Sequence, residues 1–245
     1  MSEAVDELER RENNPTLIRK TNLIDLDRQI SGGLADGQLM IIGDRPGSGK
    51  SVLGVQIAAT FALRDEPALI ASLEMMRGEI AGRLAESVNR EELRHLPISI
   101  VDRTFGLNRI AAHIRLAAHR DGIRLCVVDY LQLIEPDDRS ANHERQVAET
   151  SRTLKRLAME TQVPIIACCQ LNRASEREDR KPRLADLRES GSIEQDADIV
   201  GLLHRTTENS ELIVAKNRSG APGVVQLTFR PECFRFENSP IYSGF

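Results

Sequence analysis

The stretch Met40–Ser51, MIIGDRPGSGKS, constrains this chain more than any other. An apolar run passes into a Gly/Pro-rich turn, and Lys50 and Ser51 then open a helix-like segment. This is the layout of a phosphate-binding loop, in which successive backbone N–H groups and a helix N-terminus face an anion. Arg45, Pro46, Gly47, Ser48, Gly49, Lys50 and Ser51 are the expected phosphate ligands. Lys50 supplies a point charge to the outer phosphates, and the Ser51 hydroxyl is a ligand for Mg²⁺. Gly47 and Gly49 allow the backbone to approach the anion without a Cβ in the way. The spacing departs from the usual pattern at one place: Asp44 stands where the first Gly belongs, and Gly43 comes one residue early.

A chain of 245 residues suits a single α/β domain. Trp is absent and aromatics make up 3%, so the core must be aliphatic. A net charge of −4 excludes a bulk polyanion binder and leaves nucleic-acid contact to local basic loops, repeated around a ring of subunits. No apolar run reaches membrane-spanning length, and the first dozen residues are too charged for a signal peptide. The four cysteines show no metal-ligand spacing and read as reduced thiols of a cytoplasmic protein.

Residues Ser2–Glu12 read as a short charged helix, and Thr21–Ile30 as a second one that buries Leu23, Leu26 and Ile30. Apolar strand runs follow at Leu39–Ile42, Ala68–Leu73, Pro97–Val101, Leu125–Val128, Pro164–Cys169 and Asp198–Leu203. Helical runs lie between them at Lys50–Leu63 (Val52, Val55, Ala59 and Leu63 inward), Arg77–Val88, Leu107–His119 and His143–Thr161. Pro136–Ala141 and Asn172–Pro182 read as loops. Leu212–Ala215 and Val224–Phe229 flank a Gly/Pro turn as a hairpin. The alternation predicts a mostly parallel twisted sheet with helices on both faces and antiparallel strands at one edge.

Ligands collect at the carboxyl ends of strands in such sheets. Four polar groups fall there: the Asp44–Lys50 turn, Glu74, Asp129 and Gln170. Asp129 is placed to hold Mg²⁺ opposite Ser51, Glu74 to polarise a water, and Gln170 to sense the γ-phosphate. Lys216 and Arg218 sit on the hairpin turn, either as solvated decoration or as a finger into a neighbour's phosphate site.

The stretches LIDLDRQISGGL, RPGSGKS, SLEM, VVDYLQLI, ETSRTLKRLAMETQVPIIACCQLNR, DLRESGSIEQDAD and AKNRSGAPGVVQLTF resemble the C-terminal RecA-like motor domain of DnaB-type replicative helicases. They run in family order from about Thr21 to Phe236. The resemblance implies a RecA-like P-loop NTPase fold over 21–245, with 1–20 as a linker helix or arm that docks on a neighbouring subunit. It implies ATP and Mg²⁺ as cofactors and ATP hydrolysis coupled to unwinding. It makes Glu74 the catalytic glutamate, Asp129 the second-motif acid and Gln170 the γ-phosphate sensor. It has Lys216 and Arg218 acting in trans, and Arg83 near the base. Arg188, Glu189 and Gly191 belong to a loop that tracks single-stranded DNA. The implied partners are single-stranded DNA, further copies of this chain in a ring, expected to be a hexamer, and a helicase loader or primase. Relative to that family the sequence lacks the N-terminal primase-interacting domain, and its segment between Glu74 and Pro97 is short.

Overall fold

The computed structural model describes residues 18–86, 90–135, 143–172, 180–187, 191–206 and 209–239. The expected helix at Ser2–Glu12, the Pro136–Ala141 loop and most of Asn172–Pro182 lie outside them.

The strands are β1 (Ile18–Arg19), β2 (Leu34–Ala35), β3 (Leu39–Asp44), β4 (Ala68–Ser72), β5 (Ile98–Asp102), β6 (Leu125–Asp129), β7 (Ile165–Gln170), β8 (Ile199–Arg205), β9 (Ser210–Asn217), β10 (Gly223–Arg230) and β11 (Arg235–Asn238). The α-helices are α1 (Ile24–Gln29), α2 (Lys50–Ala62), α3 (Arg77–Ala85), α4 (Arg90–His95), α5 (Leu107–Leu116), α6 (His143–Thr161) and α7 (Gly191–Asp196). Nine strands form one sheet in the order β11-β10-β9-β8-β3-β7-β6-β4-β5, and β1 and β2 pair separately. The strands from β8 to β5 in that order run parallel, whereas β9, β10 and β11 add antiparallel pairs at one edge.

The parallel strands are apolar along their length because both faces of the sheet are covered. Alternate residues of one strand then serve two cores. Leu39 and Ile41 of β3 join Cys126, Val128, Ile165 and Ala167 beneath α5 and α6. Met40 and Ile42 join Ile70, Val127 and Ile166 beneath α1, α2 and α3. Leu23, Leu26 and Ile30 are buried as expected, and Leu107, Ile110 and Ile114 of α5 and Val147, Leu154 and Leu157 of α6 are buried too.

Three sequence expectations need correction. Leu63, expected inward, is 55% exposed, and the fully buried positions of α2 include Leu53, Ile57 and Phe61. Helix α2 is apolar nearly all round, so spacing alone does not select the face that meets the sheet. The helix expected over Arg77–Val88 ends at Ala85, and a separate α4 begins at Arg90. Strand β11 has no counterpart in the sequence analysis. Its pattern shows one apolar residue, Phe236, which packs at 5.0 Å (ring centroids) from Phe229.

Candidate functional site

Strand β3 carries the chain to the carboxyl edge of the sheet and extends through Asp44, held between Gln170 of β7 and Leu203 of β8. The turn from Arg45 to Gly49 follows, and α2 begins at Lys50. Gly49 precedes the helix with φ +113°, a left-handed conformation, and a Cβ there would meet the Phe236 ring at 3.0 Å. Both facts demand glycine. At Gly47 (φ +80°) the same Cβ would meet nothing within 4 Å among the described residues, which leaves open space over the turn.

Three more strand ends reach this edge. Lys50 Nζ lies 3.5 Å from Glu74 Oε2 and 3.8 Å from Asp44 Oδ1, and 4.7 Å from the centre of the Tyr130 ring. Burial alone would lower the Lys50 pKa, but the carboxylates of Asp44, Asp129 and Glu74 outweigh it and raise the value, so the ammonium stays charged. Ser51 hydrogen-bonds Asp129, whose pKa is nevertheless raised by burial. Asp129 Oδ1 is buried with no hydrogen-bond partner among the described residues. A hydroxyl and a half-satisfied carboxylate on facing elements form a hard-oxygen set that fits a divalent cation. Among the described residues no group of three or more His, Cys, Asp or Glu side chains stands ready to hold a metal. A cation here therefore needs oxygens from a phosphate as well.

Glu74 sits on a turn that Ser72 ties. Its hydroxyl donates to the Met75 carbonyl (2.8 Å) and accepts the Met75 N–H (3.0 Å). Gln170 is gripped through its backbone: the Gln132 side chain donates to its carbonyl (2.9 Å) and accepts its N–H (3.1 Å). Arg205, at the end of β8, donates to the Gly47 carbonyl at 2.8 Å and lies over the Phe229 ring. Ser72, Gln132 and Arg205 escaped the sequence analysis. Their one signal is position, at or just after a strand's carboxyl end. The Arg45 side chain engages the Arg180 carbonyl, so its contribution to the turn is its backbone.

Arg83, in the last turn of α3, lines a pocket of about 560 Å³ together with Val52, Gln56 and Phe236. The pocket runs along α2 from Val52 and on to Arg64.

Lys216 and Arg218 lie at the far end of the molecule. The Arg218 N–H donates to the Asp198 carbonyl, and the Asp198 N–H donates to the carbonyl of Leu39, the first residue of β3. The tip is therefore one strand length, roughly 15–20 Å, from its own chain's phosphate loop. Arg218 pairs with Asp198 at 3.1 Å, and Lys216 donates to the Glu194 carbonyl. Burial and the neighbouring Arg218 lower the Lys216 pKa. Gly191 opens α7 and is exposed, whereas Arg188 and Glu189 lie outside the described residues. Cys126, Cys168 and Cys169 are buried thiols outside any disulfide, and burial pushes the Cys126 thiol up to about 12. No helix among the described residues is long and apolar enough to cross a membrane.

A family model described as DnaB-like helicase C terminal domain matches residues 19–92 and 85–238. The replicative DNA helicase DnaB of Leifsonia xyli subsp. xyli is 38% identical over 251 residues, covering 88% of this chain and 55% of the relative. The replicative DNA helicase DnaC of Bacillus subtilis is 37% identical over 270 residues, 96% of this chain and 59% of the relative. The chain thus spans somewhat more than half the length of these relatives. A solved structure described as an ATPase domain superposes with a TM-score of 0.86 at 31% identity, covering 97% of this chain and 98% of that one. A structure of a DnaB-like replicative helicase and its interactions with primase gives a TM-score of 0.84 at 31% identity, covering 98% and 67%.

Proposed function

This chain belongs to the DnaB-like helicase C-terminal domain family, and from that premise we propose that it is an ATP-hydrolysing motor that moves on single-stranded DNA during replication. The carrying observation is the meeting of Lys50, Glu74, Asp129 and Gln170 at one sheet edge, around a turn with open space over Gly47. Residues 21–245 are the ATPase domain, and 1–20 is an arm that docks on the next subunit.

The amides of Gly47–Ser51 and the Lys50 ammonium bind the phosphates of ATP. Ser51 and Asp129 hold Mg²⁺, which when bound neutralises charge on the outer phosphate oxygens. Glu74 orients and polarises the attacking water, and the Ser72-tied turn keeps it in range. Gln170 accepts or donates at the γ-phosphate, with Gln132 fixing its backbone. Arg83 packs beside the base. Lys216 and Arg218 complete the site of an adjacent copy, because their own phosphate loop is out of reach. Arg188, Glu189 and Gly191 lie on the segment that follows the DNA backbone, using N–H groups and a cation and not base edges. A cytoplasmic homo-oligomeric ring, a hexamer, with a loader or primase as further partner, is the assembly this implies.

The test is Glu74→Gln. We expect ATP turnover stimulated by single-stranded DNA to fall by about 10²-fold or more, with ATP affinity within a few-fold of wild type. Displacement of one strand from a forked duplex is lost in parallel. Turnover unchanged in the variant would remove Glu74 from the chemistry. Wild-type protein that binds ATP and single strands yet displaces nothing would refute the motor.

A further inference from the structure

Asp44 has no part in the scheme above, yet its carboxylate lies at the centre of the phosphate loop. The residue is 1% exposed. One oxygen, Oδ2, accepts both the Gly49 N–H at 3.1 Å and the Lys50 N–H at 3.0 Å. The other, Oδ1, lies 3.8 Å from Lys50 Nζ and is buried with no hydrogen-bond partner among the described residues. Two successive amides where a 13-residue helix begins, and the buried cation beside them, are the donors that a phosphate oxygen of the nucleotide needs. A carboxylate and a phosphate cannot both take these protons, and two anions in one water-poor cradle repel. The backbone at Asp44 cannot step aside, because parallel pairing to Gln170 and Leu203 fixes it on both sides. Only the side chain can yield.

We infer that Asp44 is an internal anion that competes with the nucleotide's phosphates for the Gly49 and Lys50 donors, and so sets how tightly, and with which counter-ion, this loop accepts a di- or triphosphate. The inference rests on the nucleotide-site assignment made above. Affinity is reduced by the fraction of molecules in which the carboxylate still holds the amides. A phosphate group that arrives with Mg²⁺ is favoured over the bare anion, because the cation offsets the repulsion. Burial also raises the pKa of this carboxylate to about 6. A purely structural role predicts the opposite outcome: if Asp44 merely staples the loop into shape, its removal loosens the cradle and weakens binding.

The experiment is calorimetric titration of the full chain, as wild type, Asp44→Asn and Asp44→Ala, with ADP and with inorganic pyrophosphate, each with and without Mg²⁺. We expect Asp44→Ala to bind ADP about tenfold tighter or more, with Asp44→Asn between it and wild type. The gain is expected to be larger without Mg²⁺ than with it. Equal or weaker binding by both variants overturns the inference while leaving the nucleotide site intact. Absence of ADP binding in all three proteins overturns both. Near-UV circular dichroism establishes that each variant is folded; if Asp44→Ala is not, Asp44→Asn decides alone, tighter binding supporting the competition and equal or weaker binding refuting it.

Discussion

Asp44 and Asp186 are both almost fully buried carboxylates, and burial pushes each pKa up, but their partners decide opposite outcomes. Asp186 takes a bidentate pair from Arg180, 2.8 Å to each oxygen, and the Arg183 N–H, so its pKa falls. Its contribution to stability is present above the ordinary carboxylate value and is lost on acidification. Asp44 has two amides and one ammonium at a distance, which do not offset burial, and its pKa rises from 3.8 to about 6. The folded chain then holds this proton more tightly than the unfolded chain. Stability from that source is fully present below about pH 4 and is lost as pH rises through 6. The difference amounts to roughly 3 kcal/mol at neutral pH. We therefore expect Asp44→Asn to gain stability over wild type as pH is raised from 4 to 7, by up to that amount, in urea unfolding series at each pH. A difference that does not change with pH would refute the assignment. Asp186→Asn should show the reverse trend, losing least against wild type at low pH.

At the scale of elements, what was legible in the sequence is what has a period or a sharp end. The apolar runs that became β3, β4, β6 and β7 each stop at or just before a polar residue, and that alone drew Asp44, Glu74, Asp129 and Gln170 toward one edge. The Gly-Ser-Gly-Lys-Ser core told where the amides would point. What was not legible depended on partners distant in the chain. Arg235–Asn238 carries too little apolar character to declare a strand; it forms because β10 pairs with it and because Gln56, on α2, clamps it. The Gln56 amide donates to the Phe236 carbonyl at 2.7 Å and accepts the Phe236 N–H at 2.8 Å. Gln132 plays the same part for Gln170, and no local pattern marks a Gln that serves as a substitute strand. Gln56→Ala leaves both backbone groups of Phe236 without that partner, at a cost of about 1–3 kcal/mol. Hydrogen exchange should locate this loss: amides of residues 235–238 exchange faster, while those of β3 and β6 keep their protection. Acceleration spread evenly over the sheet would mean that the clamp is not local.

The sheet as a whole separates Lys50 from Arg218, the two halves of the active centre proposed above. Lys50 stands at its carboxyl edge, and Arg218 stands at the opposite edge beside Leu39, held there by Asp198. No side-chain rotation covers a separation of roughly a full strand. The proposed mechanism therefore completes the site head to tail between copies, and a heterologous contact of that kind closes into a ring when its rotation allows. Mixing two defective proteins tests this directly. Lys50→Ala protomers retain Arg218, and Arg218→Ala protomers retain Lys50. Each protein alone should hydrolyse almost no ATP, although Arg218→Ala still binds it. In an equal mixture, one junction in four pairs an intact Lys50 with an intact Arg218, so turnover should recover to roughly a quarter of wild type after subunits exchange. Recovery should follow the product of the two fractions as the ratio is varied, peaking at equal amounts. Residual activity that simply averages the two parents at every ratio would refute a site shared between copies.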